Sequence, residues 1–345
     1  MSRAESARKP AAFADDRLSL VTKVAKLYHE SHLRQPEISE RLNLSQSRVS
    51  RLLKQAVDEG IVRTVVVSPE GLYSDLEQAL ADRYGLIDVA VADVLVQDEP
   101  SLLAALGATA AAYLQDTLNE HERLGISSWS ASLLATVNSM SPPATVRLAS
   151  EVVQVLGGVG RPDVQVQATH LTDQLARVTG GVPKFFPAPG IVGSSAARSV
   201  LMDDRYLGSL STEWVNLTTV LAGIGALLPS PLLASSGNAV DSSETAFLEG
   251  AGAVGDVCLR FFDERGDPVA TELDDRILGI SREALLGVPR RIGVAGGERK
   301  YAAIRGAVLG GWVNILVTDK DTAVKLLEEP ADEQDPEARA EGSTT

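Results

Sequence analysis

The 345-residue chain holds a single cysteine, Cys258, which excludes an internal disulfide and points to a reducing compartment. Cys258 lies in the apolar stretch Val257-Cys258-Leu259 and reads as a small buried hydrophobe, not a reactive thiol. Long apolar runs are also missing. Even 217–228 is short and is broken by Gly223 and Gly225, so no bilayer span is expected. The opening MSRAESARKPAAFADD is polar and carries no apolar leader, which makes a cytoplasmic location the expectation. Histidine is scarce: His29, His32, His121 and His170 share no ligand-like spacing with Cys258. His29 and His32 are one turn apart and read as a surface pair, so no metal is expected. No phosphate-loop string of the Walker type occurs. Gly250-Ala251-Gly252-Ala253-Val254-Gly255 matches the dinucleotide string G-x-G-x-x-G. Its context is reversed, with a helix-like segment before it and a strand-like one after, and no cofactor is expected.

Charge is unevenly placed. Residues 1–67 carry twelve Lys/Arg against eight Asp/Glu, a net of +4, whereas the whole chain is −14 and residues 68–345 therefore −18. A basic head on an acidic body fits nucleic-acid contact at one end only. The last segment, 328–345, has seven acids, one Arg, Pro330 and Pro336, and reads as a disordered solvating tail. Residues 1–15 are likewise expected to be disordered.

The most informative stretch is PEISERLNLSQSRVSRLLKQAVDEGI, residues 36–61. Ile38 and Leu42 give a first helix its inner side, and Asn43-Leu44-Ser45 makes a tight turn. Ser45 is a suitable N-cap for a second helix. Val49, Leu52, Leu53, Ala56 and Val57 form that helix's apolar stripe. Its outer face is then Gln46, Ser47, Ser50, Arg51 and Lys54, with Arg48 beside them. Such residues near a helix N-terminus suit base-edge and phosphate contacts in a DNA major groove. Leu20, Val24, Leu27 and Tyr28 supply a preceding helix, and Gly60 a C-terminal stop. The run 61–67 reads as a strand, as in winged variants. Head residues 16–67 are thus expected to form a helix-turn-helix domain that binds double-stranded DNA.

Ser68-Pro69-Glu70-Gly71 is a turn-rich break, and 68–327 is expected to be a second domain. Helices are expected over 73–84, 100–118, 130–140, 169–179 and 194–201. Strands are expected over 89–91, 123–127, 152–156, 184–186, 217–223, 256–262, 291–295 and 313–317. This alternation implies an α/β fold, doubly wound around a mostly parallel sheet. Ligands of such sheets sit beyond the carboxyl ends of the strands. The segments expected there are Ser127-Ser128-Trp129-Ser130, Gly157-Gly158-Val159-Gly160, Pro187-Ala188-Pro189-Gly190, Gly223-Ile224-Gly225 and Ala295-Gly296-Gly297-Glu298-Arg299-Lys300. Short Gly/Ser loops before helices let backbone amides approach an anion, which points to a phosphate or sugar-phosphate pocket.

Together these residues resemble the SorC family of bacterial transcriptional regulators, close to the DeoR-type sugar-phosphate regulators. The resemblance runs from the head through VVQVLGGVG at 152–160, FFPAPG at 185–190 and AGIG at 222–225. It is strongest in GAVGDVCLRFFDERGDPV at 252–269, DDRILGI at 274–280, and IGVAGGERKYAAIRGAVLGGWVNILVTD at 292–319. It implies a body resembling sugar-phosphate isomerases but without catalysis. It further implies a homotetramer on a palindromic operator and a phosphorylated sugar or polyol as effector. By resemblance, the 127–132 loop (Ser127, Ser128, Ser130, Ser132), Asp256, Gly296, Gly297 and Lys300 line the effector pocket. Gly157 and Gly158 join them from the Gly-rich loops. Relatives often carry Ser-Trp-Gly where this chain has Ser128-Trp129-Ser130. Two other readings follow from the residues. One is a sugar-phosphate isomerase-like enzyme with Asp256 or Glu298 as general base. The other is an interaction module whose head docks a partner helix.

Overall fold

A computed structural model describes residues 12–62, 72–96, 98–127, 129–142, 147–159, 162–228 and 240–329. The chain divides into two compact units, Met1–Val67 and Ser68–Thr345.

The first unit is trihelical: α1 (Ala12–His29), α2 (Gln35–Leu42) and α3 (Gln46–Asp58). Its core is Val21, Val24, Ala25, Ile38, Val49, Leu52 and Ala56, with Leu20, Leu27, Leu42, Leu44 and Leu53 packed against it. Two expected core residues are not in it. Tyr28 is 38% exposed and Val57 57% exposed. The stripe of α1 centres on Val21, Val24 and Ala25, so Tyr28 turns outward and meets His29 edge-on at 5.0 Å. On α3, Val49, Leu52, Leu53 and Ala56 complete the stripe, and Val57 falls about a quarter-turn from its centre. Helix α1 starts at Ala12, inside the stretch expected to be disordered to 15. Ile61 and Val62 pack on the helical core without strand pairing. The rest of the expected strand, 63–67, and the break at 68–71 lie outside the described residues.

The second unit alternates as expected. In chain order it contains α4 (Ser74–Tyr84), β1 (Asp88–Ala92), α5 (Glu99–Thr117), β2 (Arg123–Ile126), α6 (Ala131–Ser139), β3 (Glu151–Gln154), α7 (Pro162–Thr179), β4 (Val182–Lys184), α8 (Ser195–Met202), α9 (Arg205–Glu213) and β5 (Thr219–Ala226). Then follow α10 (Ser242–Gly250), β6 (Ala253–Val257), β7 (Arg260–Asp263), α11 (Arg282–Gly287), β8 (Arg290–Val294), α12 (Tyr301–Leu309), β9 (Ile315–Asp319) and α13 (Lys320–Glu328). The strand order is β1-β9-β8-β5-β2-β3-β4, and each of these pairings is parallel. Strands buried on both faces read as near-continuous apolar runs, which is why β5, β8 and β9 stood out in the sequence. On one face α5, α6 and α7 cover Leu124, Ile126, Leu221, Ile292, Val294 and Val317. On the other, residues of α4, α9, α11, α12 and α13 pack with Val89, Val91, Val220, Ala222 and Leu316. The fold is therefore doubly wound.

The expected single strand over 256–262 is a hairpin. Strands β6 and β7 pair antiparallel, and Cys258 and Leu259 form the turn at φ +56° and +62°. Both residues take the left-handed conformation that two-residue hairpin turns require. Gly223-Ile224-Gly225, expected in a loop, lies within β5, and Gly225 pairs with Asp256 of β6. The reversed G-x-G-x-x-G string does sit between a helix, α10, and a strand, β6. Helix α7 begins seven residues before the expected 169. The acidic tail is expected from 328, but Glu328 closes α13 and Glu329 pairs with Arg305 at 3.1 Å. Residues 330–345 lie outside the described residues.

Candidate functional site

The chain winds one way from β2 through β3 to β4, and the other way from β5 through β8 to β9. Strands β2 and β5 are adjacent, so the switch point lies between their carboxyl ends, where such sheets hold ligands. A cavity of about 90 Å³ opens there, lined by Ser127, Ser130, Ser132, Gly223, Gly225, Asp256, Cys258 and Lys300 among others. A second cavity of about 370 Å³ adjoins it. The two share Glu99, Leu103, Ser132, Arg299 and Lys300, and the second is also lined by Asp98, Gly296, Gly297 and Glu298.

The 127–132 loop is shaped by backbone strain. Trp129 is buried with φ +63°, a conformation that L residues rarely adopt and that clusters at functional sites. Its indole Nε1 donates to the Gly157 carbonyl at 3.3 Å. Ser130 caps α6, its Oγ accepting from Leu133 N at 3.4 Å and lying 3.0 Å from Ser132 Oγ. Ser132 Oγ donates to the Val294 carbonyl at 2.9 Å. Gly223 is needed beneath this loop, because a Cβ there would stand 2.4 Å from Ser130 Oγ. Ser128 lies outside the described residues.

Asp256 is buried against Gly225, where a Cβ would stand 2.0 Å from its Oδ1. Its Oδ2 accepts from Leu259 N at 2.9 Å, so the hairpin turn aims the carboxylate. Burial pushes the Asp256 carboxyl up to about 6, against the opposing effects of the Leu259 hydrogen bond and nearby Lys300. Lys300 follows the 296–297 glycines and donates from Nζ to the Ile224 carbonyl at 2.8 Å. Burial, helped by Arg299, lowers the ammonium to about 8, while Asp256 and Glu99 act to raise it. Burial also pushes the Cys258 thiol up to about 12, as suits a packed, unreactive thiol. The sequence reading of Cys258 holds, with the addition that it borders the cavity.

The expected pocket residues are thus gathered unevenly. Ser127, Ser130, Ser132, Asp256 and Lys300 line the smaller cavity. Gly296 and Gly297 line the larger one, but the Gly297 amide already donates to Asp319 Oδ2 at 2.7 Å and to Thr322 Oγ1 at 3.2 Å. Gly157 and Gly158 line neither. Gly157 is a packing glycine, whose Cβ would lie 2.0 Å from the Pro189 carbonyl oxygen. Sequence reasoning missed Glu99 and Leu103, and it placed Arg299 in a ligand-end segment without assigning it to the site. The first two come from the first turns of α5, far off in sequence, and no local pattern marks them. Glu298, the alternative general base, is exposed and paired with Lys325 at 2.6 Å.

In the head, Ser45 caps α3 by accepting from Arg48 N at 3.3 Å. Gln46, Ser47, Arg48, Ser50, Arg51 and Lys54 are all exposed. Arg51 Nε donates to the Ser47 carbonyl at 3.2 Å, which tethers the guanidinium on the outer face of α3.

Comparison with known proteins agrees with this division. The family described as "Putative sugar-binding domain" matches residues 70–328, and the family of winged helix-turn-helix DNA-binding domains matches 27–63. A deoxyribonucleoside regulator of Bacillus subtilis is 29% identical over 312 residues, covering 90% of this chain and 98% of that one. A sorbitol operon regulator of Klebsiella pneumoniae is 30% identical over 320 residues, covering 90% and 98%. The crystal structure of the full-length sorbitol operon regulator SorC from Klebsiella pneumoniae superposes with a TM-score of 0.69 at 28% identity, covering 90% of this chain and 99% of that one. No helix among the described residues is long and apolar enough to cross a membrane. With a helix-turn-helix head and a sugar-binding body matched over nearly its whole length, the chain belongs to the SorC family of transcriptional regulators.

Proposed function

We propose that the chain is a cytoplasmic, homotetrameric regulator of carbohydrate-catabolism genes, and that a phosphorylated sugar or polyol changes its affinity for a palindromic operator. The head is taken as 16–67 and the effector domain as 68–327. The carrying observation is the cavity at the β2/β5 switch point, where a helix-capping serine loop, a buried carboxylate and a half-buried lysine converge. Serine hydroxyls and first-turn amides suit a phosphate, Lys300 supplies a compact positive charge, and Asp256 accepts from sugar hydroxyls. On α3, Gln46, Ser47, Ser50 and Arg51 would read bases, while Arg48 and Lys54 would hold backbone phosphates. The effector acts by binding one arrangement of the oligomer better than the other.

Gly225→Ala tests the link between cavity and regulation, because its Cβ would displace Asp256. The expected variant binds operator normally but no longer responds to effector in fluorescence anisotropy. An unchanged effector response would remove Asp256 from the site. The enzyme reading draws on one observation, the raised carboxyl of Asp256 in a cleft, which is a mark of acid-base groups. Against it, a base needs a second positioned proton carrier, and Glu298 is exposed and held by Lys325. Turnover of sugar phosphates by purified protein would restore that reading.

A further inference from the structure

The two adjoining cavities differ in chemistry, and the difference limits the ligand. In the smaller one, Ser127 is only 4% exposed, and its hydroxyl makes no hydrogen bond to any described residue. The hydroxyl is therefore open to whatever fills the cavity, water or ligand. It stands beside the N-terminus of α6, which favours negative charge, and Lys300 Nζ reaches the same cavity. At about 90 Å³ it holds a compact group, roughly the space of half a dozen waters. The larger cavity, about 370 Å³, is lined by Asp98, Glu99 and Glu298 together with Arg299 and the shared Lys300; Asp98 caps α5 and Glu298 is paired with Lys325, which leaves Glu99 as the carboxylate facing the cavity's cations. Its glycine loop offers little to an anion, since the Gly297 amide is held by buried Asp319.

We infer that the effector is a monophosphate whose single phosphate sits in the smaller cavity beside Ser127, with its hydroxylated carbon chain running past Lys300 into the larger, acid-lined cavity, where a second phosphate is rejected. Glu99, on the wall common to both, is then the residue that discriminates mono- from bisphosphates. Carboxylates accept hydrogen bonds from hydroxyls and repel phosphate, so one group serves both recognition and exclusion. This inference rests on the sugar-phosphate reading above.

Calorimetric titration of the full chain tests it, using matched pairs of pentose and hexose monophosphates and bisphosphates, the corresponding free sugars and polyols, and inorganic phosphate. The expected result is one monophosphate binding at least tenfold more tightly than its bisphosphate and its unphosphorylated form. Ser127→Ala should weaken the monophosphate at least tenfold and the free polyol less than twofold. Glu99→Gln, on an exposed residue, should narrow the mono-to-bisphosphate ratio several-fold. A bisphosphate that binds the unaltered chain as tightly as its monophosphate overturns the inference and leaves the sugar-phosphate reading standing. Binding of a free sugar alone, or of nothing in the panel, defeats that reading and the inference with it.

Discussion

Asp256 shows how one residue ties function to stability. Burial raises its folded-state carboxyl from 3.8 to about 6. Between those values the folded chain keeps a proton that the unfolded chain has released. Stability therefore falls as pH rises through that window, and the penalty is complete above it. A tenfold change in proton affinity corresponds to about 1.4 kcal/mol. Asp256→Asn should accordingly stabilise the chain by about 1–3 kcal/mol at pH 7.5, with the gain vanishing toward pH 4. Denaturant melts across that range check the sign. A variant less stable than the parent at pH 7.5 would mean that Asp256 is held by more than its Leu259 contact. Arg51 belongs to the same scale. If it reads a base, Arg51→Ala should cost on the order of 1–3 kcal/mol of specific binding and relax the preference at one operator position. Unchanged affinity for operator and random DNA would remove Arg51 from the readout.

At the scale of elements, local signals were legible where one periodicity or one cap decides the structure. Helix α3 is such a case, and Ser45→Ala should destabilise the head by about 1 kcal/mol, read in thermal melts of the full chain; a melt unchanged for the head transition would show that the cap carries no stability. The parallel strands were legible as apolar runs for a related reason, since both faces are buried. The β6–β7 hairpin was not. Its turn is built from Cys258 and Leu259, both at positive φ, where a two-residue turn is normally announced by Asn or Gly. The Gly-rich segments were only half legible. Glycine looks the same in sequence whether it clears space for a side chain at the cavity, as Gly225 does for Asp256, or for backbone, as Gly157 does for Pro189. Which of the two applies depends on strand neighbours that the linear sequence does not display. The same holds for Glu99 and Leu103, which reach the cavities only because α5 crosses the sheet from β1 to β2.

For the whole molecule, the charge division acquires a structural meaning: +4 over residues 1–67 and −18 over 68–345 fall on the two compact units. Contacts to DNA phosphates should therefore be confined to the first unit, with affinity that falls steeply with salt. Effector-controlled operator binding is read out by gel-shift titration of the purified chain on DNA from upstream of its own gene, with and without a panel of sugar and polyol phosphates. The expected outcome is a retarded band that survives excess random DNA and whose midpoint is moved by one phosphorylated compound. Equal affinity for that DNA and for random DNA of the same length and salt, with no compound moving either, would contradict it.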